Sequence, residues 1–401
     1  MNFFRKIIFL ALVILADDLS ALELRGVSKF QFANYQSQLR ISEDSKNQEL
    51  FQVNRLSVYH DFSERISFEA SWQFIGLYSK IEAIELKRDY KNLKREYRAL
   101  DFENQLFDLN GDFRLTHNLD RAYLTYSADN YSIQAGRQQV AFGSGKATNP
   151  TDVFTPYGPL AIDTEERSGV DALRFKMAIG EMGELDTGII FGEDAERKNS
   201  AAWMLSRLVF GSFEIQPIYA NFKKANLYGL DLLATAGGAN FWIEQAYVKP
   251  DKEEAYTRIT AGAEYQFIED FFSFAEFHLS TAGKADPKDF PTLLDDFAYS
   301  GGGVFLLGRR YFDIGFSYLP HPLHTLGLGS KNNLDDGSSL VSASWDYNLS
   351  DDFYLNASFF HGYHLNLARD ESPKTGLLAA IPDYEFTSYP TTLYLKAKYY
   401  F

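Results

Sequence analysis

The chain has 401 residues, 45% of them hydrophobic and 16% aromatic, a formal charge of −15 and no cysteine. The acidic balance argues against nucleic acid and against a basic patch docking on a membrane surface. The missing thiols remove disulfides, thiolate nucleophiles and thiolate metal sites together, and fit a compartment that is oxidising or indifferent to redox.

The N-terminus has Arg5 and Lys6, then an apolar run from Ile7 to Ala16, then small residues at Ser20 and Ala21. This order is that of a secretory signal cut after Ala21, so 1–21 reads as a signal peptide and 22–401 as one domain. The run is short for a spanning helix, which needs roughly 20 apolar residues. No later stretch is long and apolar enough to span as a helix either. Membrane insertion would have to use strands, and only a closed barrel lets strands satisfy every backbone donor and acceptor in lipid.

Beyond the signal, about eighteen segments of period two follow, the pattern of a large transmembrane antiparallel β-barrel. In Ile66 to Ile75, the residues Ile66, Phe68, Ala70, Trp72 and Phe74 alternate with Ser67, Glu69, Ser71 and Gln73, and Tyr256 to Phe267 and Val341 to Leu349 repeat the pattern. Short connections are expected at 61–64, 128–130, 180–183, 211–212, 236–239, 269–270, 308–310 and 349–352. Long ones are expected at 34–49, 76–118, 142–166, 193–200, 250–254, 282–295, 320–337 and 364–390, with 221–225 the weakest of the set. Short periplasmic turns, long extracellular loops and periplasmic termini follow from that rhythm.

Long loops in a compact fold usually carry function. Ile81 to Asn104 is dense in charge, with Ile81, Ile84, Tyr90, Leu93, Tyr97 and Leu100 at roughly helical spacing. It predicts an amphipathic helix, either at the pore mouth or on a solvated surface. Phe142 to Glu166 holds three prolines and three glycines. That stiffness predicts a constriction folded inward, with Asn149, Pro150, Asp152 and Phe154 at the narrowing. Gly143-Ser144-Gly145-Lys146 in this loop is followed by Ala147 instead of Ser or Thr, and no strand-helix unit surrounds it, so it is not read as a phosphate loop.

His321, His324, His361 and His364 would put four imidazoles near one rim, but the spacing is too unspecific to predict a metal, and no cofactor is expected. Glu165-Glu166 and Asp295-Asp296 have no companion base or nucleophile, and no Ser, His and Asp set assembles from the pattern, so no enzyme is expected. The chain ends on Leu393 to Phe401, an alternating strand that stops on an aromatic, as a closing barrel strand does.

Turning each strand's polar face inward gives two walls. Arg25, Lys29, Arg55, Arg121, Arg174, Lys176, Lys396 and Lys398 lie on strands at the two chain ends, which become neighbours on closure. Asp186, Glu214, Asp231, Glu244, Glu264, Glu276 and Asp346 lie on the middle and later strands, with Arg207 and Arg258 interspersed. Opposed walls would set up a transverse field that orients polar and charged solutes. The alternative is that the charges simply pair and solvate.

The stretch Ala135-Gly136-Arg137-Gln138-Gln139-Val140-Ala141-Phe142-Gly143-Ser144-Gly145, followed by Arg167-Ser168-Gly169-Val170-Asp171-Ala172-Leu173-Arg174, resembles the alginate export family of outer-membrane porins. The resemblance implies a basic pore that passes an acidic polysaccharide, folded-in loops and a periplasmic plug. By position it implicates Arg137, Gln138, Arg167, Asp171 and Arg174 in the pore or its hydrogen-bond network. Ile133 and Ala135 look lipid-facing, which would turn Arg137 outward at roughly 2–4 kcal/mol in mid-bilayer, so a bulge at Gly136 or a position near the rim is expected.

These readings converge on an outer-membrane porin of a Gram-negative-type bacterium. It would sit in lipid and lipopolysaccharide, as monomer or trimer, and pass small hydrophilic solutes passively. The alternatives are a dedicated exporter of an alginate-like polysaccharide, and a plugged barrel with enzymatic or adhesive surface loops.

Overall fold

A computed structural model describes residues 22–36, 46–80, 97–100, 102, 104–109, 112–159, 164–293, 295–364 and 384–401. The expected signal peptide lies outside the described residues, as does the expected helix through residue 96. The strands are β1 (Glu23–Gln36), β2 (Lys46–Ser63), β3 (Ile66–Lys80), β4 (Asn104–Leu109), β5 (Phe113–Ser127), β6 (Tyr131–Gln138) and β7 (Val170–Ile179). Next come β8 (Gly183–Phe191), β9 (Ala201–Phe210), β10 (Phe213–Phe222), β11 (Ala225–Ala236), β12 (Ala239–Pro250) and β13 (Tyr256–Ile268). The last are β14 (Phe271–Ser280), β15 (Arg310–His321), β16 (His324–Asn333), β17 (Ser338–Asn348), β18 (Phe353–His364) and β19 (Thr391–Tyr400).

Eighteen of these close an antiparallel barrel, with β3 paired directly to β5 and β1 paired to both β2 and β19. The remaining strand, β4, pairs with Phe113 to His117 of β5, beyond the Ala122–Arg137 pair where β6 meets β5. It covers the edge that β6 leaves open. Closure is completed by the last residue: Gly26 N donates to Phe401 O at 2.6 Å and Phe401 N to Gly26 O at 2.9 Å. A Cβ on Gly26 would come within 2.2 Å of the Phe401 ring, so the ring rests on the bare glycine backbone and would have to shift for any larger residue. Alternation sets the two faces of the closing strand: Leu393, Leu395 and Tyr399 are 44–47% exposed on the outside, whereas Thr392 and Tyr394 are buried inside.

One end of the barrel carries tight turns at 64–65, 128–130, 180–182, 211–212, 237–238, 269–270, 322–323 and 349–352. The other carries the connections at 37–45, 81–112, 139–169, 192–200, 223–224, 251–255, 281–309, 334–337 and 365–390. Two sequence expectations fail. Residues 308–310 end a long connection, and 320–337 is a strand between two tight turns instead of one long loop. That segment was expected as one long connection, but Pro322-Leu323 is a two-residue turn, and Gly327 and Gly329 sit opposite Ser344 and Ser342 within the β16–β17 ladder. The same correction separates the histidines, since His324 pairs with Tyr347 and His364 with Ser338 at opposite ends of β17.

The inner face is not uniformly polar. Ile190, Trp203, Ile218, Phe222, Leu227 and Val248, from β8 to β12, form a buried apolar wall with Val140, Phe142, Val153 and Phe154 of the 139–169 connection. At roughly 25 cal/mol per Å² of apolar surface, this packing supplies a driving force that folds the connection into the lumen.

Candidate functional site

The inward connection lies between two sets of charges. On one side, three strand carboxylates accept hydrogen bonds from its first half. Glu244 of β12 accepts from Ser144 N at 3.1 Å, Gly145 N at 3.0 Å, and Thr151 N and Oγ1, both at 2.7 Å. Glu276 of β14 accepts from Lys146 N at 2.7 Å, Ala147 N at 3.1 Å and Thr148 N at 2.9 Å. Trp242 Nε1 completes that carboxylate at 2.9 Å, its indole crossing Gly262, where a Cβ would come within 2.3 Å of the ring. Asp231 of β11 accepts from Ser144 Oγ at 2.6 Å. Glu244 and Asp231 are fully buried and Glu276 nearly so. Buried carboxylates persist when hydrogen bonds of this charge-assisted kind meet their lone pairs.

On the other side, the end of the connection reaches the barrel seam. Lys29 and Lys398 stand directly opposite on β1 and β19, an arrangement that repels unless an anion intervenes. Glu165 supplies it, with Lys29 at 3.0 Å and Lys398 also in contact. Burial works against its ionisation, but the hydrogen bonds from Lys398 and Lys29 outweigh it and hold the carboxyl down at about 2. Glu166 pairs with Arg55 at 3.0 Å and Arg121 at 3.3 Å, and both arginines also pair with buried Asp120, at 3.3 and 2.7 Å.

Within the connection, Asp152 pairs with Arg167, which also donates to Thr155 O at 2.6 Å and lies over the Tyr157 ring at 4.3 Å. Burial pushes the Asp152 carboxyl up to about 6 despite Arg167. Phe154 is in the apolar wall, Pro150 O accepts from Arg258 at 3.2 Å, and Asn149 is partly buried beside them.

Arg137 and Asp171 pair at 2.7 Å across β6 and β7, both 2% exposed, on the face that carries Leu173 and close to the loop end. Asp171 also accepts from Ala99 N at 2.8 Å, and Phe102 lies over Arg137 at 5.5 Å. The expected bulge at Gly136 is absent, because the ladders through it keep register; the irregularity falls in β5 at Asp120, opposite Ser71 and Trp72. Arg137 thus avoids lipid by its position near the rim. Gln138 is buried and donates to Ala172 O at 3.3 Å.

The other expected residues are mostly paired. Arg174 holds Asp186 (2.9 Å), Lys176 holds Glu184 (3.1 Å), Arg207 holds Glu214 (2.8 Å), Lys146 holds Glu264 (2.5 Å), and Arg25 holds Glu23 (2.6 Å). Asp346 is exposed and accepts from Asn356 at 2.8 Å, and Lys396 lies beside Gln31 and Asn356 in the ladders. Sequence reading missed the apolar inner wall, although the run Pro217-Ile218-Tyr219-Ala220 carries its signal: a strand apolar on both faces, one toward lipid and one toward packed chain, loses its alternation.

Two cavities flank the connection. One, of about 670 Å³, is lined by Arg25, Arg55, Arg121, Arg174 and Lys176, with Glu69 and Glu166 the carboxylates that line it among the described residues. The other, of about 540 Å³, carries Gly315, Ser317, Gly327, Gly329, Ser342 and Ser344, with Lys146 and Lys331 on its border.

No family model matches the chain, and no curated protein does. Solved structures do match in fold. OccK5 (OpdH) of Pseudomonas aeruginosa has a TM-score of 0.57 at 9% identity, covering 94% of this chain and 97% of its own. The outer membrane protein OprD of Pseudomonas aeruginosa has 0.55 at 9%, covering 95% and 93%. OccAB4 of Acinetobacter baumannii has 0.58 at 9%, covering 95% and 98%. These are barrels of the OprD and Occ porin type and not alginate exporters, which overturns the expected membership of the alginate export family. The segments that suggested it serve local pairing instead, Arg137 with Asp171 and Arg174 with Asp186. The chain is an eighteen-stranded barrel with the fold of outer-membrane porins.

Proposed function

We propose that this chain, exported by a signal peptide at 1–21, is an outer-membrane porin. Small hydrophilic solutes diffuse passively through its lumen, and anions are favoured over cations. One observation carries the preference: Glu244, Glu276 and Asp231 of the acidic wall accept hydrogen bonds from the inward connection, whereas five cations and two carboxylates line the cavity on the opposite side, the cations' other partners, Glu23, Asp120, Glu184 and Asp186, lying outside that lining. Charge presented on the wall of a low-dielectric conduit raises the local concentration of counter-ions. Two opposed, equally open walls would give little preference, and the burial of Glu244, Glu276 and Asp231 argues against that balance.

Liposome swelling tests this reading. Vesicles holding the purified barrel should swell in small neutral sugars, faster in a sugar acid of similar size, and slowest in the matching amino-sugar cation. Vesicles that stay shrunken in all three would rule the porin reading out.

A further inference from the structure

The geometry points to a binding site for a hydrogen-bearing phosphate group in a third cavity, between the inward connection, the 281–309 connection and strands β13, β14 and β16. This cavity measures about 100 Å³, against the roughly 30 Å³ that a water molecule occupies in the liquid. Four cations line it. Lys146, Arg167 and Lys331 each hold a carboxylate: Glu264, Asp152 and Asp313. Arg258 does not. It is 4% exposed and, among the described residues, donates once, to Pro150 O, and its Nε has no acceptor. Glu244 on the neighbouring strand already accepts four hydrogen bonds from the connection. A buried guanidinium that is not directly paired with a carboxylate is costly, and a planar N–H edge of this kind suits an oxyanion.

The same cavity also presents acceptors. Thr260 Oγ1 lies 3.1 Å from Thr148 O and 2.8 Å from His278 Nδ1; when its one hydrogen goes to Thr148 O, the ring proton sits on Nδ1. In the neutral ring that leaves His278 Nε2 as a bare acceptor. Asn149 Oδ1 is a second buried acceptor without a donor. Water would satisfy these atoms but would bring no charge to Arg258. A group that carries negative charge and two O–H hydrogens meets all three, and the dihydrogen form present in phosphate near neutral pH is such a group, whereas sulfate has no proton to give. The site does not depend on solute passage, because binding can be read on the barrel in detergent.

Titration calorimetry of the full mature chain in micelles, with inorganic phosphate and with sulfate, tests it. Saturable phosphate binding at one site is expected, with sulfate several-fold weaker. Arg258→Gln should weaken phosphate by about tenfold or more, since it removes a charge-assisted donor. Lys252→Gln on an exposed loop should leave it unchanged. Glycerol 3-phosphate in the same cell distinguishes a free ion from the head group of an ester, and binding of either supports the site. Absent phosphate binding, sulfate binding as tightly, or a folded Arg258→Gln barrel with unchanged affinity would each overturn the proposal. If Arg258→Gln does not fold, the phosphate and sulfate comparison on the unaltered chain decides.

Discussion

Glu244 shows how a single side chain organises this lumen: one carboxylate gathers three backbone N–H groups and a hydroxyl from a connection about a hundred residues away in sequence. Glu244→Gln would put an NH2 group where those donors converge. Each buried donor left without an acceptor costs about 1–3 kcal/mol, so a loss of about 2 kcal/mol or more is expected. Thermal unfolding in detergent should register it, together with noisier single-channel records as the connection loosens. Glu385 makes a second knot, at the loop end. Fully buried, it accepts from Tyr311 Oη at 2.5 Å, Asn333 Nδ2 at 2.8 Å and Leu307 N at 2.9 Å. Burial pushes its carboxyl up from 4.5 to about 7, against the hydrogen bonds that favour ionisation. A raised carboxyl stabilises the fold fully below its unfolded value and loses that contribution as pH rises through the folded one. Hydrogen exchange at 384–390, corrected for the intrinsic rate, should therefore speed up between mildly acidic and mildly alkaline pH, and Glu385→Gln should flatten the change.

At the scale of an element, the 139–169 connection is held by apolar packing on one part and by charge at both ends. Deleting Thr148 to Pro159 should raise single-channel conductance about twofold or more and shift selectivity toward cations, because Glu276 and part of Glu244 would then face the conduit. An unchanged conductance would place the connection outside the path of ions. Glu165→Gln acts at the other end. It leaves Lys29 and Lys398 facing each other without their shared anion, and should increase anion selectivity while slightly lowering the melting temperature. The three prolines and three glycines of this irregular connection were the ground for expecting an inward fold. Its anchors were not legible, because strand carboxylates that face water and those that cap a loop share the same alternation.

For the whole molecule, the barrel was plain in the sequence: one-sided strands such as Ile66 to Ile75, tight turns at one end, and a terminal aromatic strand. Period-two alternation is imposed by lipid on one face, so it survives without any knowledge of tertiary contacts. What failed was local. Gly327 and Gly329 looked like loop but face serines across a ladder, and Ile218 to Phe222 hid an inner apolar wall that only long-range packing defines. The charged walls were likewise visible as residues but not as roles, since pairing Arg55 with Glu166 or Glu244 with Gly145 requires contacts far apart in sequence. The decisive measurement is the reversal potential of the purified chain in a planar bilayer under a potassium chloride gradient. An open channel whose potential reports chloride preference is expected. A silent barrel, or one that prefers potassium, would contradict the claim that the inward connection occupies the acidic wall and leaves the basic one to the solute.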